Sequence, residues 1–198
     1  MAKRRKVGNL LALAVLSYLT QAPMHPYELG RTLREHGDAR SIKFNLGSLY
    51  MVVQQLEKAG FVTARETSRE GQRPERTVYA LTDAGRDEMR DWLRELVEEP
   101  QHEYPSFVAA LSLVAALPPD EVADLLDRRL ERLEVERTEI RALIDDSVGS
   151  GLHPLFMVEE EYRLDLLTAE ADFVRRFRTR IAEWRPLWAG FHQEGGQQ

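Results

Sequence analysis

The chain has 198 residues, a length that suits one or two domains with a sizeable hydrophobic core. Hydrophobic residues make up 43% and charged residues 30%, a composition typical of soluble globular proteins. Cys is absent, which excludes disulfide bonds and thiolate metal sites. No apolar run reaches the ~20 residues needed to span a bilayer, so we expect a cytoplasmic protein without membrane contact.

The net charge of −6 is distributed unevenly along the chain. Residues 1–76 contain 13 Lys and Arg against 7 Asp and Glu, whereas the remainder contains 14 against 26. A basic segment beside an acidic one is expected when only one end of a protein meets phosphates. The alternative is that the acidic half simply has solvated helix faces, and the two interpretations are compatible.

The first predicted helix covers residues 9–20 and is apolar on nearly every face, as a buried helix would be. Basic residues precede it, as in a signal peptide, but no small-residue cleavage site follows, which favours the first helix of a folded domain. A second helix begins at Pro26, runs to about His36 and ends at Gly37. Residues 38–45 form a polar connection.

A third helix follows this connection and ends at Gly60. Its apolar stripe is formed at 3-4-3 spacing by Leu46, Leu49, Val53 and Leu56. The opposite face is expected to point outward and carries Gly47, Ser48, Met51, Gln54, Gln55 and Lys58.

Residues 61–67 and 76–81 are rich in β-branched and aromatic side chains, and each segment predicts a strand. Between them lies a basic loop with Gly and Pro, SREGQRPE. Thr82 is a suitable N-cap for a fourth helix over residues 83–98. This order is the outline of a winged helix-turn-helix. In that fold the third helix enters the major groove of DNA, and the hairpin tip, or wing, contacts the neighbouring backbone.

A second, helical region begins near residue 101. We expect a short helix at 106–116, a long helix that starts at 118–121, a turn at 148–151 and a last helix over 154–189. Two long helices joined by one loop form an antiparallel hairpin, which buries only one side of each helix. A second copy would cover what remains, so we predict a homodimer through these helices. The alternative is that the hairpin packs against the chain's own first domain.

The predicted fold is therefore mainly α with a small β-hairpin wing. It comprises an N-terminal winged helix-turn-helix and a C-terminal helical dimerisation domain. The predicted boundaries are a DNA-binding domain at residues 1–100, a dimerisation domain at 101–190 and a disordered tail at 191–198.

Affinity for DNA comes from cations that meet phosphates, and specificity comes from groups that reach base edges. The candidate phosphate contacts are Lys43, Arg69, Arg73 and Arg76, with Lys3, Arg4, Arg5 and Lys6 as a further basic arm. The candidate base-reading residues are Asn45, Ser48, Met51 and Gln55, and Gln54 lies on the same outward face. Gly47 permits close backbone approach beside the free amides at the start of the third helix.

Each of these assignments has a structural alternative. Lys and Arg side chains are often only solvated, and the N-terminal arm is expected to be disordered without DNA. Asn45 is equally suited to cap the third helix. Tyr50 lies between the two faces, so it is either a phosphate contact or a core residue with its hydroxyl at the surface.

The first hundred residues resemble a PadR-family transcriptional regulator. The matching segments are LALAVLSYL, HPYEL, GSLYMVVQQLEKAGFV and RPERTVYALTDAG, of which the last two occupy the family's recognition helix and wing. The helical remainder is similar in order and length to the dimerising region of some members. Many relatives carry a basic residue after the recognition-helix Tyr, whereas this chain has Met51, which argues against a phosphate contact there.

The resemblance implies a dimer on a palindromic operator, usually as a repressor. Some members bind flat hydrophobic or phenolic compounds, often on aromatic residues. The candidates for such an effector site are Trp92, Trp184 and Trp188. The alternative is that these aromatic side chains belong to the core or to the dimer interface.

Other classes of function find little support in the sequence. The chain has no Gly-rich phosphate loop, nucleophile elbow or paired His–carboxylate motif, so neither an enzyme nor a cofactor is predicted. Its His residues never form a close i, i+4 pair, so no metal site is predicted. The remaining rivals are a winged-helix protein-interaction module without DNA readout and a MarR-like regulator. The latter would place dimerising helices ahead of the first helix, which only eight residues precede here.

Overall fold

The computed structural model of the protein describes the backbone of residues 5–68 and 76–193 and the side chains of residues 5–65 and 77–188. The chain divides into two compact units, Met1–His102 and Glu103–Gln198. The described elements are mostly helical, with one small antiparallel sheet. The prediction of a mainly α fold with a β-hairpin wing is confirmed.

The first unit is a winged helix-turn-helix. Its elements are α1 (Leu10–Tyr18), α2 (Pro26–Glu35), α3 (Leu46–Lys58), β1 (Val62–Ser68), β2 (Arg76–Leu81) and α4 (Asp83–Glu98). A short 3-10 turn at Asp38–Arg40 lies within the predicted polar connection. Helix α1 contributes Leu11, Val15 and Leu16 to the core, and all three are fully buried. This burial explains why the helix is apolar on nearly every face.

Helix α3 buries a wider stripe than the spacing predicted. Leu49, Val53 and Leu56 are buried as expected, and Val52 joins them. Leu46 is only half-buried, because it lies at the first turn, beside Gly30 of α2. A Cβ on Gly30 would lie 3.1 Å from side-chain atoms of both Leu46 and Leu49, so this glycine permits the close crossing of α2 and α3.

The wing strands pair in antiparallel register from Val62 opposite Leu81 to Arg65 opposite Val78. Beyond Arg65 the register shifts, as in a β-bulge. Met24 adds a bridge to Tyr79, with two backbone hydrogen bonds of 3.0 Å, which the sequence did not predict. Burial raises the pKa of the Tyr79 hydroxyl, and the charge of Glu57 raises it further. The bridge ties the segment before α2 to the base of the wing.

The second unit is a helical hairpin with a short helix at its base. Its helices are α5 (Ser106–Ser112), α6 (Pro119–Gly149) and α7 (Val158–Gln193). Salt bridges from Arg185 to Asp120 and from Arg178 to Asp127 show that α6 and α7 run antiparallel. The hairpin was predicted, but several helix boundaries in this unit differ from the prediction.

The single helix expected over 106–116 is interrupted, because α5 ends at Ser112 and a separate 3-10 turn covers Val114–Ala116. The last helix continues past its expected end at residue 189 to Gln193, with Pro186 inside it. Residues 191–193 of the predicted tail are therefore helical, and residues 194–198 lie outside the described part of the chain.

A hydrophobic core runs along the facing sides of α6 and α7 and includes Val122, Leu126, Val174 and Ile181. In the described part of the chain, no helix combines the length and apolarity needed to cross a membrane. The same residues contain no group of three or more His, Asp and Glu side chains arranged to hold a metal ion.

Gly85 at the start of α4 lies against Phe61, so its substitution tests the packing of α4 in the first unit. The Thr82 hydroxyl caps α4 by accepting from the Gly85 amide at 3.0 Å, as predicted, and it donates to the carbonyl of Gly60. A Cβ on Gly85 would lie 2.0 Å from the Phe61 carbonyl oxygen, so the backbone of α4 or of Phe61 would have to move. We predict that Gly85→Ala lowers the free energy of unfolding by about 2 kcal/mol.

Thermal and urea unfolding followed by circular dichroism measures this change. Gly8→Ala is the matched control, because a Cβ on Gly8 meets no atom within 4 Å. Equal stabilities of the two variants would show that α4 does not pack on Phe61 as described.

Candidate nucleic-acid interface

The start of α3 is held by a capping box between Asn45 and Ser48. Asn45 Oδ1 accepts a hydrogen bond from the Ser48 amide at 2.8 Å, and Ser48 Oγ accepts one from the Asn45 amide at 2.9 Å. Ser48 Oγ also lies 2.8 Å from the Asn45 carbonyl oxygen, to which it donates. Of the two roles considered for Asn45, the structure shows the cap.

The outward face of α3 carries side chains that are free to reach a partner surface. Gln54 and Gln55 are exposed, and Met51 is 60% exposed. Gly47 and the preceding Lys43 are exposed as well, whereas Ser48 is half-buried. Of the predicted outward face, all residues but Ser48 are therefore exposed.

Helix α2 begins beside this face. Its cap is His25, whose ring accepts from the Tyr27 amide, while Glu28 accepts from the His25 amide and Pro26 occupies the first turn. The His25 ring meets Tyr50 of α3 edge-to-face, with centroids 6.1 Å apart. Tyr50 is 41% exposed, so it sits at the surface rather than in the core.

Arg5 of the N-terminal arm does not have the exposed position that the sequence suggested. The side chain of Arg5 is only 3% exposed and is paired with three carboxylates on α4, those of Glu88, Asp91 and Glu95. Its guanidinium lies over the ring of Trp92, 5.2 Å from the centroid. Arg5 as a phosphate contact is therefore wrong, because the carboxylates of α4 already neutralise it.

Burial of the Arg5 guanidinium lowers its pKa, but hydrogen bonds to Glu88, Glu95 and Asp91 outweigh this and leave the pKa raised. Sequence inspection could not reveal this cluster, because more than eighty residues separate its partners. The only local signal is the spacing of the three carboxylates, which places them on one side of α4.

Lys6, by contrast, stays exposed and lies at the far end of α3. Its ammonium is 5.7 Å from the centroid of the Phe61 ring. Lys6, Gln55 and Lys58 line one shallow surface depression. The structure thus brings together Lys6 and Lys58, both named from the sequence, at the edge of the candidate interface.

The wing candidates fall largely outside the described residues. Arg69 and Arg73 lie there, as do Lys3 and Arg4 of the arm. Arg76 begins β2, but its side chain is not described. Arg65 on β1 is an exposed cation of the wing that the sequence analysis overlooked. Its position near the loop SREGQRPE could have identified it as a wing cation from the sequence alone.

The comparisons with known proteins agree with this architecture. Residues 15–91 match the model of the transcriptional regulator PadR-like family. Over these residues the chain is similar to the PadR-like family of transcriptional regulators.

A curated relative, the negative transcriptional regulator PadR of Bacillus subtilis, is 25% identical over 144 residues, which are 72% of this chain and 78% of that protein. The crystal structure of Bacillus subtilis PadR in complex with operator DNA is similar in fold, with a TM-score of 0.70 at 20% identity. The match covers 91% of this chain and 99% of the Bacillus subtilis PadR chain. The structure of the same regulator in complex with p-coumaric acid has a TM-score of 0.69 at 19% identity, with the same coverage.

The Trp residues proposed for an effector site have structural roles in this PadR-like chain. Trp92 is buried in the core of the first unit beneath Arg5. Trp188 is buried in the core of the second unit, where its indole N–H donates to the Leu117 carbonyl at 3.0 Å. Trp184 is partly exposed and stacks with Arg180, 4.2 Å from the ring centroid. The two buried Trp side chains belong to the cores of different units.

The Arg5 cluster yields a second prediction. Arg5→Ala leaves three carboxylates close together without their cation, so we expect the free energy of unfolding to fall by about 2 kcal/mol. Denaturant unfolding measures the loss.

Arg31→Ala is the matched control, because Arg31 and Glu35 are 3.6 Å apart and both more than half exposed. An Arg5 variant no less stable than the Arg31 variant would show that the cluster does not hold the N-terminal segment.

Proposed function

We propose that this PadR-like regulator is a sequence-specific DNA-binding protein that acts as a dimeric repressor on a palindromic operator. The observation that carries the proposal is the outward face of α3, which presents Met51, Gln54 and Gln55 while the opposite side is buried in the core. Amide side chains pair with base edges, and an exposed Met suits a thymine methyl. A protein that binds DNA must share a compartment with it, so we propose that this protein is cytoplasmic.

The roles within the interface divide along α3. Asn45 and Ser48 set the start of the helix through the capping box and leave its first amides near the DNA backbone. Gln54 and Gln55 read bases, and Lys43 meets a phosphate. We propose Tyr50, whose ring meets that of His25, as a further phosphate contact. Arg69, Arg73 and Arg76 are proposed, from the sequence alone, to hold the wing on the flanking backbone.

A dimer is needed to read a palindrome. Two copies of α3 would sit one helical turn of DNA apart, ~34–36 Å, in successive major grooves. The second unit supplies the proposed dimer contact, because its exposed apolar side chains are numerous outside the α6–α7 core. Release of DNA would follow from any effector that changes the separation of the two α3 helices.

We also propose that a small phenolic compound is such an effector. The support is the relative of similar fold that was crystallised with p-coumaric acid. Titration of the protein–DNA complex with p-coumaric acid should release DNA at concentrations where benzoic acid does not. Unchanged binding would remove this class of effector from the proposal.

Two substitutions on the interface separate base reading from phosphate contact. We expect Gln55→Ala to reduce the preference at one base pair by ~1–3 kcal/mol and to leave the salt dependence unchanged. Lys43→Ala should weaken binding to all sequences alike and lower the salt slope by about 1. The measurement is fluorescence anisotropy with duplexes selected from a random pool and their single-base variants.

Gln21→Ala is the control, since Gln21 is equally exposed but lies in the turn after α1. If Gln55→Ala keeps the full base preference, α3 is not placed in the groove as proposed. If neither wild type nor variants select any sequence from the pool, the winged helix is a protein-interaction module instead.

A further inference from the structure

The depression at the far end of α3 brings together two lysines from distant parts of the sequence. Lys6 of the N-terminal arm and Lys58 in the last turn of α3 both line it, together with Gly8 and Gln55. Both lysines are exposed, and neither forms a salt bridge with another residue in the described part of the chain. We call Lys6 and Lys58 the lysine pair. Two cations on one surface without a carboxylate partner attract an anion.

The carboxylates of the neighbouring helices do not neutralise the lysine pair. Glu57 is the one acidic residue in the sequence of α3, and it lies about 100° from Lys58 around the helix axis. Its charge raises the pKa of the Tyr79 hydroxyl at the base of the wing, so it acts on another side of α3. The three carboxylates of α4 nearest the arm are paired with the guanidinium of Arg5. The depression therefore keeps its positive charge.

Lys6 is held in position by its two neighbours in the sequence. The side chain of Arg5 is 3% exposed and paired with α4, and Val7 is 8% exposed in the core of the first unit. The Lys6 ammonium also lies 5.7 Å from the centroid of the Phe61 ring. Because both neighbours are buried, the backbone of Lys6 is fixed before a partner arrives. Little conformational entropy is then lost when its charge meets an anion.

Lys58 lies on the same side of α3 as the candidate base-reading residues. At about 100° per residue, Gly47, Gln55 and Lys58 all fall within about 40° of Met51 around the helix axis. The rise from Gly47 to Lys58 is about 16 Å at 1.5 Å per residue. The major groove of DNA is ~12 Å wide. A helix that crosses the groove with its start against one strand therefore has its end near the opposite strand.

We propose that the lysine pair binds a backbone phosphate of the DNA strand opposite the one that meets Lys43 and the first amides of α3. Arg5 is a positioning residue for this contact, because its anchor on α4 fixes the backbone that carries Lys6. The inference rests on the DNA binding of the proposed function and adds a contact with the second strand. It gives the buried Arg5 cluster a role in binding although Arg5 does not touch DNA.

The position of the lysine pair favours a DNA phosphate over a small free anion. Both side chains are exposed on a shallow surface, which does not enclose a free ion. The surface continues along the side of α3 that carries Met51 and Gln55. A duplex read by those residues brings its own backbone to the end of the helix, where phosphate contacts fix the register of the protein on DNA.

Removal of either ammonium tests the contact. We expect Lys6→Ala and Lys58→Ala each to weaken binding about five- to tenfold near 0.1 M salt and to lower the salt slope by about 1. The loss should be equal for a duplex selected from a random pool and for an unrelated duplex, because a phosphate contact carries no sequence information. Fluorescence anisotropy over a series of salt concentrations measures both quantities.

Arg90→Ala is the matched control for these variants. Arg90 is an exposed cation of the same unit, and it lies at least 100° around α4 from the carboxylates that hold Arg5. It should bind DNA with the affinity and the salt slope of the wild type. Circular dichroism checks that every variant keeps its helices.

Neutral methylphosphonate linkages, placed one at a time in the selected duplex, identify the strand. A linkage that weakens binding by the wild type but has no further effect on Lys58→Ala marks the phosphate held by the lysine pair. The corresponding linkage for Lys43→Ala should lie on the other strand. Two linkages on the same strand would overturn the proposed placement across the groove.

A double-mutant cycle tests the role of Arg5. Arg5→Ala should lower the salt slope about as much as Lys6→Ala, and the chain with both changes should bind no more weakly than either single variant. A merely structural Arg5 would lower stability but leave the salt slope unchanged. Arg5→Lys, which keeps the charge but not the forked geometry, should restore part of the slope, and it replaces Arg5→Ala in the cycle if that variant does not fold.

Three further results would overturn the inference. Unchanged salt slopes for Lys6→Ala and Lys58→Ala, in a chain that binds DNA, would remove the contact and leave the proposed function intact. Additive losses from the Arg5 and Lys6 changes would show that Arg5 does not act through Lys6. A wild-type chain that binds no duplex would remove the lysine-pair contact together with the proposed function.

Discussion

Burial of one side of α3 against α1 and α2 is the constraint on which the proposed interface depends. Leu49, Val53 and Leu56 are almost fully buried, and each such side chain contributes about 1.5–3 kcal/mol by leaving water. This packing fixes the rotation of α3 about its own axis. Gln54 and Gln55 point outward for that reason, and the capping box at Asn45 fixes where the helix begins.

The parts of this fold that follow from local pattern were predictable. Apolar spacing located α3 and the hairpin of α6 and α7, and Thr82 correctly marked the start of α4. Helix α1 was predictable too, from the apolar run within residues 9–20. These features depend on residues a few positions apart, where periodicity and capping act.

The parts that were missed depend on residues distant in the sequence. The bridge between Met24 and Tyr79 and the cluster around Arg5 both join segments more than fifty residues apart. A run of basic residues at the N-terminus predicted DNA contact equally well for each member, yet Arg5 is neutralised by α4 and Lys6 is not. Only the fold separates a cation that is paired within the protein from one that stays exposed.

The two units differ in the kind of side chain that they leave exposed. The first unit closes its core around α1 and leaves a polar helix face exposed, which suits a partner that is solvated and charged. The second unit closes only the seam between α6 and α7 and leaves apolar side chains such as Tyr162 and Leu113 in water. A surface of the second kind suits another protein chain, so the proposed DNA binding and the proposed self-association would use different parts of the molecule.

The central claim is that α3 reads DNA sequence. The most direct measurement is the fluorescence anisotropy of the wild-type protein with DNA from upstream of its own gene, compared with a scrambled duplex at two salt concentrations. We expect tighter binding to the native fragment, with a preference that persists at the higher salt. Absence of binding to either duplex, even at low salt, would contradict it.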